Sequence, residues 1–284
     1  MNIKTKVTAF AAALLSVGTL FTACNDIDEG NRYVELPPVE VKRTVLLEEF
    51  TGQLCPNCPK AHDIVKELKA QYGDQLIAVG IHSGGSLSIS EGIPGLIGLK
   101  IPDGEKYLAD AGFKSGMGLP IGVVNRTSGL IDRTDWASYI RDEISRESEV
   151  SIALKTELDE DAKKFTVKTE LRSVVEFSGA LQLWVIESGI VALQSLPNGG
   201  TDPYYVHDHV FRGTINGLNG EPISVNPDLA VGAETTHTIA LKDHWNVNNL
   251  AVVAIVSNGN GVQQVAEKKV IETDNPDLPD APAE

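Results

Sequence analysis

The chain has 284 residues, of which 39 are acidic and 24 are basic, so its formal net charge at pH 7 is −15. This acidic balance argues against electrostatic binding to nucleic acid or to anionic lipid head groups. Hydrophobic residues make up 42% of the chain, which is enough for a packed core, and the length suits two domains better than one.

The N-terminus predicts export from the cytoplasm. Lys4 and Lys6 precede an apolar segment, residues 7–21, that is too short for a confident membrane-spanning helix and is typical of a secretory signal. The Leu-Phe-Thr-Ala sequence before Cys24 resembles a bacterial lipobox, although its second residue is usually Leu. We therefore expect residues 1–23 to be a signal peptide and Cys24 to carry lipid. An ordinary signal peptide with a chance cysteine is the alternative.

The remaining chain divides by its hydrophobic period. We expect residues 24–40 to form a lipidated flexible tether and residues 274–284 to form a disordered acidic tail. Residues 41–148 alternate strands and helices, which predicts a small α/β domain. Residues 149–273 show period-two alternation and Asn-Gly turns, which predict an all-β, immunoglobulin-like sandwich.

The individual elements follow in chain order. Those predicted in the first segment are a strand at 45–47, a helix at 60–72, a strand at 76–81, an irregular insertion at 83–102, a short helix at 105–113, a strand at 119–124 and a helix capped by Thr134 or Asp135. Those predicted in the second are strands at 150–158, 165–171, 181–187, 204–211, 235–241, 250–256 and 263–271.

The cysteine count favours redox chemistry. If Cys24 carries lipid, Cys55 and Cys58 remain, and both lie in one Cys-x-x-Cys motif in an oxidising compartment. A zinc site would need two further ligands, and the sequence has neither a second such motif nor a His pair at zinc-finger spacing. We therefore predict a redox-active disulfide and no metal or other cofactor.

The motif also predicts a division of roles. With Cys55 at a helix N-cap and Pro56 at the first helical position, Cys55 would lie at an exposed mouth near the positive end of the helix dipole. Such an environment lowers the pKa of a thiol, so Cys55 is the predicted attacking nucleophile. Cys58 would face the apolar side of the helix as the sheltered resolving thiol.

The segment Val45–Cys58 resembles the active-site segment of the thioredoxin superfamily. The resemblance implies a thioredoxin-like domain in which Glu49, six positions before the motif, accepts the proton of the resolving thiol. It also implies that Pro120, just before a later strand, is a cis-proline facing the disulfide. The sequence departs from thioredoxin at Leu54, where thioredoxin has tryptophan, and in the long insertion.

The wider pattern resembles the outer-membrane-protein-28-related family of Bacteroidota lipoproteins. It consists of the lipobox, the redox-like segment, the sequence Val123-Val124-Asn125-Arg126 and the segment Tyr205–Arg212. The resemblance implies a protein anchored by lipid to the outer membrane, on its periplasmic or surface face. It also suggests an adhesion or receptor role.

The histidines are weak signals. His207 and His209 share one face of the predicted strand 204–211 and could supply half a metal site, but polar residues on a sheet surface are the commoner explanation. His62, one helical turn after Cys58, and His82, at the end of the strand 76–81, could approach the cysteines. A histidine on the flank of the helix is the commoner explanation for His62.

Two function hypotheses stay open. The first is thiol–disulfide exchange with envelope proteins of unknown identity through Cys55 and Cys58. The second is a non-catalytic surface lipoprotein, an adhesin or receptor, in which the disulfide is a structural staple.

Overall fold

The computed structural model describes residues 41–114, 116–227 and 232–271. The predicted signal peptide, the lipidation residue Cys24, the tether and the acidic tail lie outside the described residues. Within the described ranges, no helix is both long and apolar enough to cross a membrane.

The described residues form three α-helices and thirteen strands. The helices are α1 (Cys58–Tyr72), α2 (Pro102–Asp110) and α3 (Trp136–Ile144). The strands are β1 (Val45–Thr51), β2 (Leu76–His82), β3 (Ile121–Val124), β4 (Val150–Asp159), β5 (Lys164–Ser173), β6 (Phe177–Glu187), β7 (Ile190–Ser195), β8 (Thr201–His207), β9 (Val210–Thr214), β10 (Glu221–Val225), β11 (Ala233–Ala240), β12 (Leu250–Asn258) and β13 (Gly261–Lys269).

The strands form three sheets, so the fold is rich in β-structure. The main sheet has the order β13-β12-β6-β9-β2-β1-β3, with β10 also paired to β6. Strands β1 and β2 are parallel, and β3 is antiparallel to β1. A second sheet has the order β11-β5-β4, and β7 pairs with β8 as a separate hairpin.

The main sheet is buried on both faces. On one face, side chains of β1, β2, β6, β9 and β12 form a core that α2 covers through Tyr107. On the other face, α1 and α3 cover β1 and β2 through Ala61 and Trp136, whereas the sheet β11-β5-β4 covers β6 and β12 through Phe165. Burial on both faces explains why β12 begins with seven consecutive apolar residues.

The main sheet crosses the predicted domain boundary at residues 148 and 149. Strand β2 is joined to β9 by the parallel pair Gly80–Val210, where the Gly80 N–H donates to the His209 carbonyl at 2.9 Å. Strand β9 then pairs with β6. The sequence predicted a separate immunoglobulin-like sandwich over residues 149–273. The structure corrects this prediction: two packed sheets are present, but the main sheet also includes β1, β2 and β3 of the first segment. Hydrophobic periods report individual strands and carry no information on strand order.

The predicted strand 204–211 is two strands. Strand β8 ends at His207 and β9 begins at Val210, because the chain turns at Asp208 and His209, and His209 has a positive φ of 53°. Hydrophobic alternation did not predict β7 or β10, which are only six and five residues long.

Asn125 joins three elements at one buried point. Its Oδ1 accepts from the Leu46 N–H at 2.8 Å, and its Nδ2 donates to Glu143 Oε2 at 2.9 Å. Its carbonyl accepts from the Val262 N–H at 2.8 Å. Arg43 completes the cluster by pairing with Glu143 at 2.9 Å and donating to the Val262 carbonyl at 2.9 Å. Strands β1 and β13 and helix α3 are thus fixed together.

We expect Asn125→Ala to destabilise the protein by about 2–4 kcal/mol. The change removes both side-chain hydrogen bonds, deprives buried Glu143 of a donor, and places alanine at a φ of 47°. Urea unfolding measures the loss, and Asn219→Ala, at an exposed position, is the matched control. Equal stability of the two variants would contradict a structural role for Asn125.

Candidate functional site

The two motif cysteines form a disulfide at the start of α1. Their Cα atoms lie 5.5 Å apart, and the Cys58 N–H donates to the Cys55 carbonyl at 3.3 Å. Before them, the Cys55 N–H donates to the Gly52 carbonyl at 3.1 Å, which closes a turn after β1. The disulfide therefore spans the turn and the first residue of the helix.

The expected exposed Cys55 is corrected by the structure. The N-cap is Asn57, so Cys55 lies in the preceding turn, and Pro59 falls in the first helical turn, where its missing N–H costs no hydrogen bond. Cys55 is 2% exposed and Cys58 is fully buried. Both sulfurs belong to the core on the α2 side of the main sheet.

The insertion, residues 83–101, covers one side of the motif. The Leu54 N–H donates to the Leu87 carbonyl at 2.8 Å. Gln53 Nε2 donates to the Ile97 carbonyl at 2.9 Å. These contacts hold the insertion against the turn that carries Cys55.

The β7–β8 hairpin holds the motif from the second segment. Gln194 is fully buried, and its Nε2 donates to the Cys55 carbonyl at 3.0 Å and to the Gly52 carbonyl at 3.3 Å. The Ser195 N–H donates to the Gln53 carbonyl at 2.7 Å. Sequence reasoning missed Gln194, because a single glutamine in a short strand gives no functional signal.

Pro120 lies beside the disulfide. The Leu119–Pro120 peptide bond is cis, and the Leu119 carbonyl oxygen is 3.4 Å from Cys55 Sγ. Strand β3 begins at the next residue, Ile121, and its pairing with β1 places this segment next to the motif.

Glu49 is buried on the face of β1 that packs against α1. Burial raises the pKa of its carboxyl from 4.5 to about 8, and a hydrogen bond from the Thr51 side chain opposes this shift only in part. Glu49 Oε1 lies 3.5 Å from His62 Nε2. The carboxyl group is therefore largely protonated near neutral pH and can take or give a proton there.

His62 connects β1 to the hairpin. Its Nε2 lies 3.0 Å from the Thr51 hydroxyl, and its Nδ1 lies 2.7 Å from the Tyr205 hydroxyl. Burial, followed by the charges of His207 and Lys66, lowers the pKa of His62 to about 4. The ring is therefore neutral near pH 7. Sequence reasoning gave Tyr205 no separate role.

The structure separates His207 from His209, which the sequence placed on one strand face as half of a metal site at most. The rings of His207 and His82 pack edge to face with centroids 5.3 Å apart, and the His62 ring lies 6.3 Å from that of His207. His209 belongs to the turn after β8, where its Nε2 lies 3.5 Å from Lys69 Nζ. The turn therefore places His209 apart from the ring contacts of His62, His82 and His207.

The histidines line a cavity of about 220 Å³. Its floor is the sheet face of β1 and β2, its wall is α1, and β8 with the following turn closes it. The residues that carry its polar groups are Glu49, Thr51, His62, Lys66, Lys69, His82, Tyr205, His207, Asp208 and His209. Among the described residues, no three His, Cys, Asp or Glu side chains are placed to hold a metal ion.

Together, these features define a β-rich protein with a covered disulfide at a helix start, beside a cavity lined by histidines. Residues 111–274 match the family model described as outer membrane protein Omp28, and the chain belongs to that family. This match supports an outer-membrane or envelope location. It covers Pro120 and the hairpin residues but begins after the cysteine motif.

The fold resembles that of a solved bacterial protein. HBP35 of Porphyromonas gingivalis is 16% identical, with a TM-score of 0.60, over 85% of this chain and 81% of that chain. A structural-genomics protein from Agrobacterium tumefaciens is 14% identical, with a TM-score of 0.48, over 81% of this chain and 95% of that chain. None of the curated proteins compared with this chain matches it.

We expect stability to fall as the pH falls from about 6.5 to 4. The pKa values of His62 and His207 are about 4 and that of buried His82 is also lowered, so the unfolded chain takes up these protons first. Glu49 opposes this effect, because its raised pKa of about 8 makes the folded protein take up a proton first as the pH falls. Three histidines outweigh one carboxyl group.

Urea midpoints measured between pH 7 and 4.5 test this balance. His62→Gln should reduce the slope by about 1.4 kcal/mol per pH unit, the effect of one proton. Asn219→Gln, a change at an exposed position that carries no titratable group, should leave the slope unchanged. A wild-type protein whose stability is constant over this range would refute the buried neutral cluster.

Proposed function

We propose that this protein exchanges thiols and disulfides with proteins of the cell envelope, on a thioredoxin-like head formed by residues 41–148. The observation that carries the proposal is the cis Leu119–Pro120 bond beside Cys55 Sγ of the Cys55–Cys58 disulfide, at the start of α1. Buried Glu49, on the strand that leads into the motif, supplies a proton-accepting group at the position that the thioredoxin resemblance implies.

The chain order supports a thioredoxin-like head. Strand β1 leads into the motif and α1, β2 returns parallel to β1, and β3 follows the cis-proline antiparallel to β1. These are the positions that the resemblance of Val45–Cys58 to the thioredoxin superfamily implies for Glu49, the cysteines and Pro120.

The reaction is written in the direction that reduces a partner. The Cys55 thiolate attacks the partner's disulfide, so a mixed disulfide forms and one partner thiolate leaves. Cys58 then loses its proton to the Glu49 carboxylate and attacks Cys55 Sγ, which releases the second partner thiolate. The released thiolates take protons from water. Two electrons pass from the dithiol to the partner, and Cys55–Cys58 becomes a disulfide.

The burial of Cys55 adds a condition to this reaction. Because Cys55 is 2% exposed, a partner sulfur cannot reach it until the insertion or the Leu119 segment moves aside. The hydrogen bonds from Leu54 to Leu87 and from Gln53 to Ile97 are the contacts that such opening would break on the insertion side.

Membership of the Omp28 family supports an outer-membrane or envelope location for the protein. We propose that Cys24 is lipidated after removal of residues 1–23, and that acyl chains hold the protein at the outer membrane, on its periplasmic or surface face. The partner would then be another envelope protein.

A second candidate function is favoured by the same burial. Two sulfurs that are 2% and 0% exposed also suit a structural staple in a non-catalytic surface lipoprotein that acts as an adhesin or receptor. In that case the disulfide fixes the turn before α1 and takes no part in binding.

The reduction potential separates the two candidates. A catalytic disulfide should titrate between roughly −270 and −120 mV, whereas a staple should lie below about −300 mV. Redox titration against glutathione and dithiothreitol buffers, read by thiol labelling and mass spectrometry, gives the value.

Trapping tests the exchange directly. We expect Cys58→Ser, expressed in the full chain, to retain envelope proteins on Cys55 as mixed disulfides, because the resolving thiol is gone. The double variant with Cys55→Ser should trap none of them, and wild type should trap few. Insulin reduction should be lost in Cys55→Ser and kept in His237→Gln, whose ring pairs with Glu221 outside the cavity. An empty trap combined with inactive wild type would leave the staple as the function of this disulfide.

A further inference from the structure

A row of polar groups leads away from Glu49 across the cavity. Thr51 shares the β1 face with Glu49, and its hydroxyl lies 3.0 Å from His62 Nε2. His62 Nδ1 lies 2.7 Å from the hydroxyl of Tyr205, a half-buried residue of β8. Glu49 Oε1 itself lies 3.5 Å from His62 Nε2. The row therefore joins a buried carboxyl group to a side chain that reaches solvent.

We propose that Thr51, His62 and Tyr205 carry protons between Glu49 and solvent during thiol–disulfide exchange. This inference rests on the proposed function and makes His62 and Tyr205 positioning residues that act through Glu49. It also makes the hairpin of the second segment part of the reaction site.

The contacts of the row fit one tautomer of His62 for each charge state of Glu49. When Glu49 is ionised, the Tyr205 hydroxyl donates to Nδ1, the Nε2–H donates to the Thr51 hydroxyl, and the Thr51 hydroxyl donates to the Glu49 carboxylate. When Glu49 is protonated, each donor points the other way, from Glu49 through Thr51 and His62 to Tyr205.

The proton balance follows from this order. When Glu49 takes the Cys58 proton, it is left neutral in a buried place and must be ionised again before the next cycle. In the tautomer with Nδ1–H, protonated Glu49 gives its proton to Thr51, Thr51 gives one to His62 Nε2, Nδ1 gives one to Tyr205, and Tyr205 gives one to water. This leaves Glu49 ionised and His62 protonated at Nε2, and the ring returns to the Nδ1–H tautomer before Glu49 can discharge again. The opposite direction of exchange uses the same route in reverse, so no further reactant is required.

The surrounding charges come from every element that packs against the row. They are Asp63, Lys66 and Lys69 on α1, His82 on β2, Asp202 and His207 on β8, Asp208 and His209 in the turn, Arg212 on β9, and Glu267 on β13. His62 and His207 are neutral near pH 7, because burial lowers the pKa of each to about 4. A neutral ring can accept a proton at one nitrogen and release one from the other.

The test compares two neighbouring tyrosines of one strand. Tyr205→Phe removes the hydroxyl that touches His62, whereas Tyr204→Phe makes the same change on a side chain that is 78% exposed. Stopped-flow rates of exchange with insulin are measured from pH 5 to 9 in full-length protein. We expect Tyr205→Phe and His62→Gln to slow exchange about 10-fold or more and to displace the midpoint of the pH profile. Tyr204→Phe should match wild type.

The reduction potential distinguishes a proton route from a structural role. A variant that only removes the proton route changes the rate of exchange and leaves the equilibrium potential of Cys55–Cys58 as in wild type. A variant that distorts the site around the disulfide changes both the rate and the potential. Tyr205→Phe with the rate profile of Tyr204→Phe overturns the proposal. Should Tyr205→Phe fail to fold, His62→Gln and the tautomer measurement below decide.

Nuclear magnetic resonance gives a readout that does not need turnover. The ring ¹⁵N shifts of His62 should report a protonated Nδ1 and a bare Nε2 below the Glu49 pKa of about 8, and the opposite tautomer above it. The carboxyl ¹³C titration of Glu49 should shift in Tyr205→Phe. A tautomer that does not change as Glu49 ionises, or an unchanged Glu49 titration, overturns the relay. If wild type exchanges no disulfide while both signals are as expected, the proposed function fails and the proton connection stands.

Discussion

The buried ion pair between Arg43 and Glu143 is the point on which the rest of the structure depends. Asn125 donates to the same carboxylate, and Arg43 also donates to the Val262 carbonyl, so the segment just before β1 is fixed to β13. A buried charge pair is stable only when its remaining donors and acceptors are satisfied. Here Asn125 supplies a donor from the first segment and the Val262 carbonyl supplies an acceptor from the second, so neither segment is complete alone.

This joining of the segments also builds the candidate site. The first segment supplies the disulfide, Glu49 and His62, and the hairpin of the second supplies Gln194 and Tyr205. Gln194 binds backbone carbonyls of the motif turn, while Tyr205 binds a side chain of α1. The hairpin therefore contacts both ends of the region in which electrons and protons would move.

Local features of this fold could be predicted from the sequence, and long-range ones could not. The helix after the motif, the helix beginning at Trp136 and most strands followed from hydrophobic periods and caps. The resemblance to the thioredoxin superfamily singled out Glu49 and Pro120, and the structure shows Glu49 buried and the Leu119–Pro120 bond cis. The burial of Cys55 could not be predicted, because the groups that cover it lie in the insertion and in β7. The meeting of His207 with His82 likewise depends on strand order, which periodicity does not report.

The single hydrogen-bonded pair between β2 and β9 has a practical consequence for dissecting this molecule. A fragment ending at residue 148 would leave β2 with an unpaired edge and would bare the apolar face on which β6, β9 and β12 share a core with β1. Unprotected edges of this kind recruit other chains and promote aggregation. If a fragment ending at residue 148 showed no activity in an assay, the cause would be the missing strands β6, β9 and β12. Such a result would say nothing about the reactivity of Cys55 and Cys58.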